Sequence, residues 1–247
     1  MFTRLLIGLD GSPRADEAFE QAVLLGRRFS ATLVAAHVRE PGAPEDAGLL
    51  DRAAQRARAA GLTAETWTRE GDADLLLAEL AKDVDAVLVG RRGSTTTGES
   101  LGPTVASLIR IAERCVIVCG STPSPMRICA LAYDGGETSK RALELAARFA
   151  SITGSSVHLI HAAADRAAGT LVVGPAEALL SFQGIPFVTH IESGKPGAAV
   201  AAVIARVGAD ALFAGAHVPR NTERPSVVVS HAEEILRQTD LPVVIQP

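Results

Sequence analysis

The sequence has no long uninterrupted apolar run, and this excludes a membrane-spanning helix, which requires about 18–20 consecutive apolar residues. The first ten residues contain an apolar block too short for a signal peptide and no small-residue cleavage site. The composition, with 47% hydrophobic residues and a net charge of −4, is typical of a globular protein rather than a disordered chain. We therefore expect a cytoplasmic protein without membrane contact.

Cysteine and basic charge are also scarce. The chain has three cysteines and no C-x-x-C pair, so it offers no ligand set for zinc, and we expect Cys115, Cys119 and Cys129 to be buried, reduced thiols. A net charge of −4 with a pI of about 5.9 gives no sign of a nucleic-acid-binding surface. No Walker A lysine motif occurs. No residue is predicted to be catalytic and none to bind a metal.

The chain repeats itself once, at an offset of about 124 to 127 residues. The matching segments, in order, are 5–12 with 129–136, 32–38 with 156–162, 85–90 with 210–215, 108–110 with 235–237, and 116–118 with 243–245. Five matches in the same order indicate two homologous domains. Residues 120–125 are dense in turn formers, and we assign 1–120 and 127–247 as the domains, with residues 121–126 as the linker.

Short apolar runs alternate with segments of helical periodicity. The runs that predict buried strands are residues 4–9, 32–38, 85–89 and 115–119. The predicted helices are 14–29, 46–60 and 72–82, the last with Asp72 as N-cap, and in the second half 137–152, 175–182, 196–207 and 226–238. This alternation predicts a doubly wound α/β domain in each half, with a mostly parallel sheet and helices on both faces.

In a doubly wound sheet, ligands bind beyond the carboxyl ends of the strands. The residues expected there are Asp10, Gly11 and Ser12 after the first strand, Val38 after the second, and residues 90–104 after the fourth.

Residues 90–104 contain the parts of an anion site. Gly90 and Gly93 permit close backbone approach, Arg91 and Arg92 carry positive charge, and residues 94–97 supply four hydroxyl groups. Gly102, Pro103 and Thr104 open a helix, whose N-terminus favours negative charge. A phosphate site and a solvated surface loop both fit this spacing.

These residues resemble the universal stress protein family over nearly the whole chain, which looks like two such domains in tandem. The resemblance implies a five-stranded, Rossmann-like sheet in each domain, similar to adenine nucleotide alpha hydrolases. ATP-binding members carry G-x2-G-x9-G-(S/T) after strand 4, an Asp after strand 1 and a Val after strand 2. The resemblance therefore implies that the first domain binds ATP, with or without magnesium. It also implies that the fifth strands pair, either within the chain as an internal pseudo-dimer or in a homodimer.

Carried over residue by residue, the resemblance gives each candidate a role. Asp10 would contact the ribose or the phosphates, and Val38 would bind adenine through its backbone. Phosphates would be held by Gly90, Gly93 and Gly102, with Gly11, Ser12, Arg92, Pro103 and Thr104 beside them.

The sequence departs from the family pattern in both halves. In the first, eight residues instead of nine separate Gly93 from Gly102, and Pro103, which has no N–H, stands where a hydroxyl residue is expected. In the second, Val218 replaces the glycine equivalent to Gly93, the loop 220–225 has no glycine, and residues 229–231 replace Gly102-Pro103-Thr104. We interpret the second site as degenerate, although Asp134 remains.

Two functions of different classes fit the sequence. The first is a stress-response protein that binds ATP or another adenine nucleotide in the first domain and contacts a protein partner. The second is an interaction scaffold of the same fold without a nucleotide site, which the shortened spacing favours. At most, slow ATP hydrolysis would accompany binding, because no general base is evident. The histidines at equivalent places, His37 and His161, are expected to be structural.

Overall fold

A computed structural model describes residues 1–39, 48–93, 101–216, 235–236 and 238–247 of the chain. The chain splits into two compact units, unit 1 (Met1–Ser124) and unit 2 (Pro125–Pro247). The boundary falls inside the segment predicted as a linker. In the described parts of both units, no helix is long and apolar enough to cross a membrane.

Unit 1 is an alternating α/β unit with a parallel sheet. Its elements are β1 (Arg4–Gly8), α1 (Pro13–Phe29), β2 (Thr32–Arg39), α2 (Leu49–Ala59), β3 (Ala64–Glu70), α3 (Ala73–Leu80) with a 3-10 turn at Ala81–Asp83, β4 (Ala86–Gly90), α4 (Pro103–Ile111) and β5 (Cys115–Cys119). The strand order is β3-β2-β1-β4-β5, and every neighbouring pair is parallel.

Unit 2 repeats this arrangement. Its elements are β6 (Ile128–Ala132), α5 (Glu137–Thr153), β7 (Ser156–Ala162), α6 (Arg166–Phe182), β8 (Phe187–Glu192), α7 (Pro196–Val207), β9 (Ala211–Gly215) and β10 (Val243–Gln246). The order within the unit is β10-β9-β6-β7-β8, again with parallel neighbours. The predicted fold class, doubly wound α/β with a mostly parallel sheet, is confirmed.

Two strands and part of a helix differ from the sequence prediction. The strands β3 and β8 were not among the predicted ones, because their side chains are mostly half-exposed or exposed and lack a continuous apolar run. Helix α6 begins at Arg166, earlier than the predicted residue 175, although Pro175 lies inside it. Its start is fixed by Asp165, whose carboxylate accepts hydrogen bonds from the N–H groups of Ala167 and Ala168. The predicted helix 226–238 lies mostly outside the described residues.

The start of α1 is capped by a side chain, as that of α6 is, whereas the start of α3 is not. The Ser12 hydroxyl accepts a hydrogen bond from the Ala15 N–H at 3.2 Å and caps α1, with Pro13 in the first turn. Asp72 occupies the N-cap position of α3, but its side chain makes no capping hydrogen bond. Asp72 is therefore the N-cap residue of α3, as predicted, without a capping hydrogen bond from its side chain.

In both units, an aspartate side chain accepts hydrogen bonds from backbone amides at the start of a neighbouring strand. Asp85, just before β4, accepts hydrogen bonds from the Thr3 N–H (2.6 Å), the Thr3 hydroxyl (2.7 Å) and the Arg4 N–H (3.0 Å) at the start of β1. Asp210, just before β9, accepts from the N–H groups of Arg127 and Ile128 in the same way. Each aspartate joins the starts of two neighbouring strands whose amides would otherwise lack a partner.

The cores lie between the sheet and its helices and contain the cysteines. All five residues of β5 are buried, including Cys115 and Cys119, and Cys129 in β6 is fully buried. All three are free thiols, as the sequence predicts. Burial raises the pKa of Cys115 to about 12 and raises the pKa of Cys119 as well, so these thiols are unreactive in the folded protein.

Candidate functional site

The direction of winding in the sheet of unit 1 reverses between β1 and β4. The chain starts at β1, winds outward to β2 and β3, and then returns to the other side of β1 to form β4 and β5. Such a reversal leaves a crevice beyond the carboxyl ends of the central strands. A cavity of about 100 Å³ lies there and is open to solvent.

The cavity is lined by residues from every segment that the sequence singled out in unit 1. Its described lining is Gly8, Leu9, Asp10, Ala15, Ala36, Val38, Ala73, Leu77, Val89, Gly90, Arg92, Gly93, Thr104 and Val105. Six candidates are therefore brought together: Asp10, Val38, Gly90, Arg92, Gly93 and Thr104. The other four, Gly11, Ser12, Gly102 and Pro103, are adjacent in sequence but not part of this lining.

Gly11 and Ser12 form the turn that aims Asp10. The Ser12 N–H donates a hydrogen bond to Asp10 Oδ1 at 3.0 Å, which closes a turn of the type that Asp commonly makes with the backbone two residues later. Gly11, between them, has a φ of 77°, a conformation that other residues adopt only with strain. The two residues thus connect β1 to α1 and hold the carboxylate at the cavity.

His37 supports the same turn from β2. Its Nδ1 lies 2.7 Å from the carbonyl oxygen of Leu9, the residue before Asp10. A carbonyl oxygen only accepts, so His37 Nδ1 carries the proton and donates. In unit 2, His161 Nδ1 lies 2.8 Å from the Tyr133 carbonyl in the same arrangement. The repeated contact gives both histidines a structural role in tying the second strand of the unit to the end of the first.

Gly93 brings the chain after β4 against the Asp10 carboxylate. A Cβ atom at Gly93 would lie 2.8 Å from Asp10 Oδ2, closer than Cβ atoms approach other atoms. The Gly102 N–H donates a hydrogen bond to the Arg91 carbonyl at 2.9 Å, and a Cβ at Gly102 would lie 3.3 Å from Arg92 Cα. Residues 91–93 therefore lie beside Gly102, and this convergence places Gly93 at Asp10.

Helix α4 begins at this convergence. Gly102 is its N-cap and has no side chain to accept from the first amides, and Pro103 is its first residue. The next two residues, Thr104 and Val105, line the cavity. The first turn of α4 thus places its positive dipole end, together with Thr104, at the cavity wall.

A glycine is required at position 90 for a different structural reason than at position 93. A Cβ at Gly90 would lie 2.5 Å from the backbone oxygen of Arg14 in the first turn of α1. In unit 2, a Cβ at Gly215 would lie 2.4 Å from the backbone carbon of Thr138 in the first turn of α5. Both glycines let a helix pack directly on the end of a strand, so helix packing accounts for Gly90 without a ligand.

The two arginines after β4 separate. Arg92 lines the cavity, whereas Arg91 is buried and lies outside that lining. The sequence predicts that both arginines contact a ligand, but Arg92 lines the cavity and Arg91 does not. The hydroxyl residues of the predicted anion loop, Ser94 to Thr97, lie outside the described residues.

Unit 2 retains the turn after its first strand. The Gly136 N–H donates to Asp134 Oδ1 at 2.8 Å, and the Ser139 hydroxyl donates to the Gly136 carbonyl. The segments on which the predicted degeneracy rests, Val218, residues 220–225 and residues 229–231, lie outside the described part of the chain.

Unit 2 also contains a histidine pair that the sequence prediction missed. His158 Nδ1 in β7 lies 2.9 Å from His190 Nε2 in β8, and the two rings are stacked at a centroid distance of 5.2 Å. Burial lowers the pKa of both, and the pKa of His190 is lowered further by the charges of His158 and Arg206. Arg206 from α7 also pairs with Glu192. No sequence signal linked the two histidines, because the strand that carries His190 was not predicted.

Comparisons with known proteins agree on one family. The sequence model of the universal stress protein family matches residues 1–120 and 168–247. No curated protein matches the chain.

The solved structures include two full-length likenesses. A universal stress protein from Archaeoglobus fulgidus is 21% identical over 98% of this chain and 97% of its own, with a TM-score of 0.81. A putative universal stress protein from Pseudomonas aeruginosa is 15% identical over 99% of this chain and 93% of its own, with a TM-score of 0.72. A universal stress protein in complex with cAMP is 25% identical over 49% of this chain and 99% of its own, with a TM-score of 0.41.

Proposed function

Since the chain belongs to the universal stress protein family, we propose that it is a stress-response protein whose unit 1 binds an adenine nucleotide, with ATP as the leading candidate. The observation that carries the proposal is the cavity between β1 and β4. There, the Asp10 carboxylate, the Gly93 backbone and the first turn of α4 come from three separate segments and border one space.

The charges of the cavity suggest how a nucleotide would be oriented. Asp10 is negative, so phosphates beside it would be repelled, whereas a ribose offers hydroxyl donors that a carboxylate accepts. The phosphates would lie toward the first turn of α4, near Thr104 and Arg92, where the helix dipole and a guanidinium favour negative charge. The base would then lie at the Val38 wall, beyond the end of β2.

The dimensions of the cavity fit this orientation only if the nucleotide extends into the mouth. Small-molecule sites have volumes of about 300–1,000 Å³. The cavity, at about 100 Å³, is below this range and too small for a whole nucleotide, but it is open to solvent. The cavity would hold one end of the ligand, and the rest would lie in its open mouth.

A scaffold without a nucleotide site is the second candidate, and two observations favour it. The cavity is small, and Pro103 removes one N–H from the first turn of α4, where phosphates would bind. Hydrolysis of ATP is the third candidate, and the residues of the cavity support it least. Among the described lining residues, Asp10 is the one carboxylate, and no histidine or lysine is present to act as a base.

The decisive experiment compares equivalent aspartates of the two units. Isothermal titration with ATP, MgATP and AMP is performed on the wild type, Asp10→Ala and Asp134→Ala. We expect the wild type and Asp134→Ala to bind equally, because the second site is proposed to be degenerate, and Asp10→Ala to bind at least about tenfold more weakly. The absence of heat and of thermal shift in the wild type at millimolar nucleotide would contradict nucleotide binding and favour the scaffold.

A second variant separates the ligand site from the fold. Gly93→Val places a branched side chain against Asp10 and the cavity, and we expect it to abolish nucleotide binding without unfolding unit 1. Nucleotide released by heat from the purified wild type and detected at 260 nm would support the proposal independently. Phosphate release that disappears in Asp10→Ala would add hydrolysis to it.

The proposal extends to location. Three free, buried cysteines suit a reducing compartment, and we therefore place the protein in the cytoplasm, where adenine nucleotides are available.

A further inference from the structure

Helix α6 of unit 2 exposes an apolar face to solvent. We define the α6 stripe as six residues on its outer face, beside which the exposed Thr170 and Ser181 also lie; the six are Ala167, Leu171, Gly174, Pro175, Ala178 and Phe182. Leu171 is 81% exposed and Phe182 is 92% exposed, the two highest values among the large hydrophobic residues that the structure describes. From Ala167 to Phe182 the single charged residue is Glu177, which accepts a hydrogen bond from the Thr189 hydroxyl at 2.5 Å.

The equivalent helix of unit 1 shows that the fold does not require this apolar face. Helix α2 also connects the second and third strands of its unit, and its exposed residues include Asp51, Arg52 and Arg56. Arg56 forms ion pairs with Asp16 at 2.7 Å and Glu20 at 2.5 Å. A surface helix of a globular protein carries charged residues on its outer face, as α2 does, so the uncharged face of α6 requires a separate explanation.

We propose that the α6 stripe is a homodimer interface, in which α6 packs antiparallel against α6 of a second copy of this chain. A twofold contact must be self-complementary, because the same patch meets itself. The stripe meets this requirement in one register. When Gly174 faces the partner's Pro175, Leu171 faces the partner's Ala178, and Phe182 faces the partner's Ala167.

This register is favourable in size and in charge. Each large side chain meets a small one, so neither copy must displace bulk to approach the other. The centre of the stripe is open, since a Cβ atom at Gly174 would have no neighbour within 4 Å. The exposed Arg166 at the start of α6 is placed near the last turn of the partner's α6, where the helix dipole is negative. The absence of like charges along the stripe removes the repulsion that a charged face would experience against itself.

The size of the stripe sets the expected strength. Its length from Ala167 to Phe182 is roughly 22 Å at 1.5 Å per residue, and a helix is about 10 Å wide. The contact therefore buries roughly 450 Å² in total from the two copies, well below the about 1,200 Å² of a standard stable interface. We therefore expect a weak, reversible dimer that forms only at high protein concentration.

The experiment is sedimentation equilibrium of the full chain over about 1 to 300 µM. The wild type is expected to shift from monomer to dimer across this range, and Leu171→Glu and Phe182→Glu are each expected to weaken dimerisation at least about tenfold. Ile152→Glu is the matched control, because Ile152 is exposed at the end of α5 and outside the stripe. It should dimerise like the wild type.

Site-specific cross-linking tests the register. Gly174→Cys is treated with a short bismaleimide, against Ala59→Cys on the exposed face of α2 as control; the native cysteines are buried. A covalent dimer with Gly174→Cys alone is expected. The proposal is overturned by a monomer at every concentration, by a dimer that both glutamate variants leave intact, or by a monomer that instead sediments with phosphatidylcholine vesicles, which would assign the stripe to lipid.

Discussion

Replacing Gly90 by alanine tests whether the glycine at the end of β4 serves helix packing rather than a ligand. The added methyl group would lie 2.5 Å from the Arg14 carbonyl oxygen, 2.7 Å from its carbonyl carbon and 2.8 Å from its Cβ. Two of these three atoms belong to the backbone of α1, so no side-chain rotation relieves the contact. Helix α1 must move away from β4.

The magnitude follows from these distances. Reaching the 3.4 Å at which ordinary contact begins requires a displacement of about 0.9 Å from the Arg14 oxygen. Overpacking a core by a methyl group costs about 1–3 kcal/mol, and a backbone obstacle places Gly90→Ala at the upper end, near about 3 kcal/mol. For a unit of this size, 1 kcal/mol corresponds to roughly 4 °C, so the thermal midpoint of unit 1 should fall by roughly 12 °C.

Tryptophan fluorescence isolates the transition of unit 1. Trp67 is the single tryptophan of the chain, and it lies half-buried in β3. Gly93→Ala is the matched control, because its added carbon would lie 2.8 Å from Asp10 Oδ2, the end of a side chain. We expect Gly93→Ala to shift the midpoint by less than about 2 °C. A midpoint of Gly90→Ala within about 2 °C of the wild type would refute the packing argument.

Two further predictions concern pH. Burial disfavours ionisation of Asp85, but hydrogen bonds from Thr3 and Arg4 outweigh this effect and lower the pKa of Asp85. The ionised Asp85 therefore stabilises the folded state above the unfolded pKa of about 3.9, and this contribution is lost as pH falls through the lower folded pKa. Urea unfolding should therefore show Asp85→Asn about 1–2 kcal/mol less stable at pH 7 and the difference shrinking toward pH 3, and an unchanged difference would contradict this. Burial lowers the pKa of His158 and of His190, so the stability of unit 2 is full above about pH 6.5 and is lost as pH falls through the lowered values. NMR titration should find the pKa of both imidazoles below 6.5, and His190→Gln should lose less stability than the wild type below that pH; a pKa above 6.5 for either imidazole would refute the assignment.

The strands that the sequence predicts are those buried on both faces. β1, β2, β4 and β5 form continuous apolar runs, because parallel central strands are covered by helices on each side. β3 and β8 are the outer strands of their units and carry charged and polar residues. Their pairing with a neighbour, rather than their composition, makes them strands.

In helix α6, the local sequence disfavours a helix, whereas the tertiary packing stabilises one. Gly169, Gly174 and Pro175 disfavour a helix locally, which is why the prediction began at residue 175. Gly169 instead packs closely, since a Cβ there would lie 2.8 Å from Ile191. Packing against β8 stabilises the first turns more than the local propensity opposes them.

For the site, the glycine and hydroxyl pattern predicts its place at the end of β4, but it does not separate the two glycines. Gly90 and Gly93 have the same composition and nearly the same sequence context. Gly90 faces the backbone of Arg14, whereas Gly93 faces the Asp10 carboxylate. That difference is set by how α1 docks on the sheet.

The sequence by itself determined the duplication, the central strands and the segments from which a nucleotide site would be built, because these depend on hydrophobic periodicity and local backbone chemistry. The tertiary structure alone decided which of those residues share a cavity, which arginine reaches it, and that His158 meets His190. Such contacts join residues far apart in the chain, and their distances depend on strand order and helix docking, which no local pattern encodes.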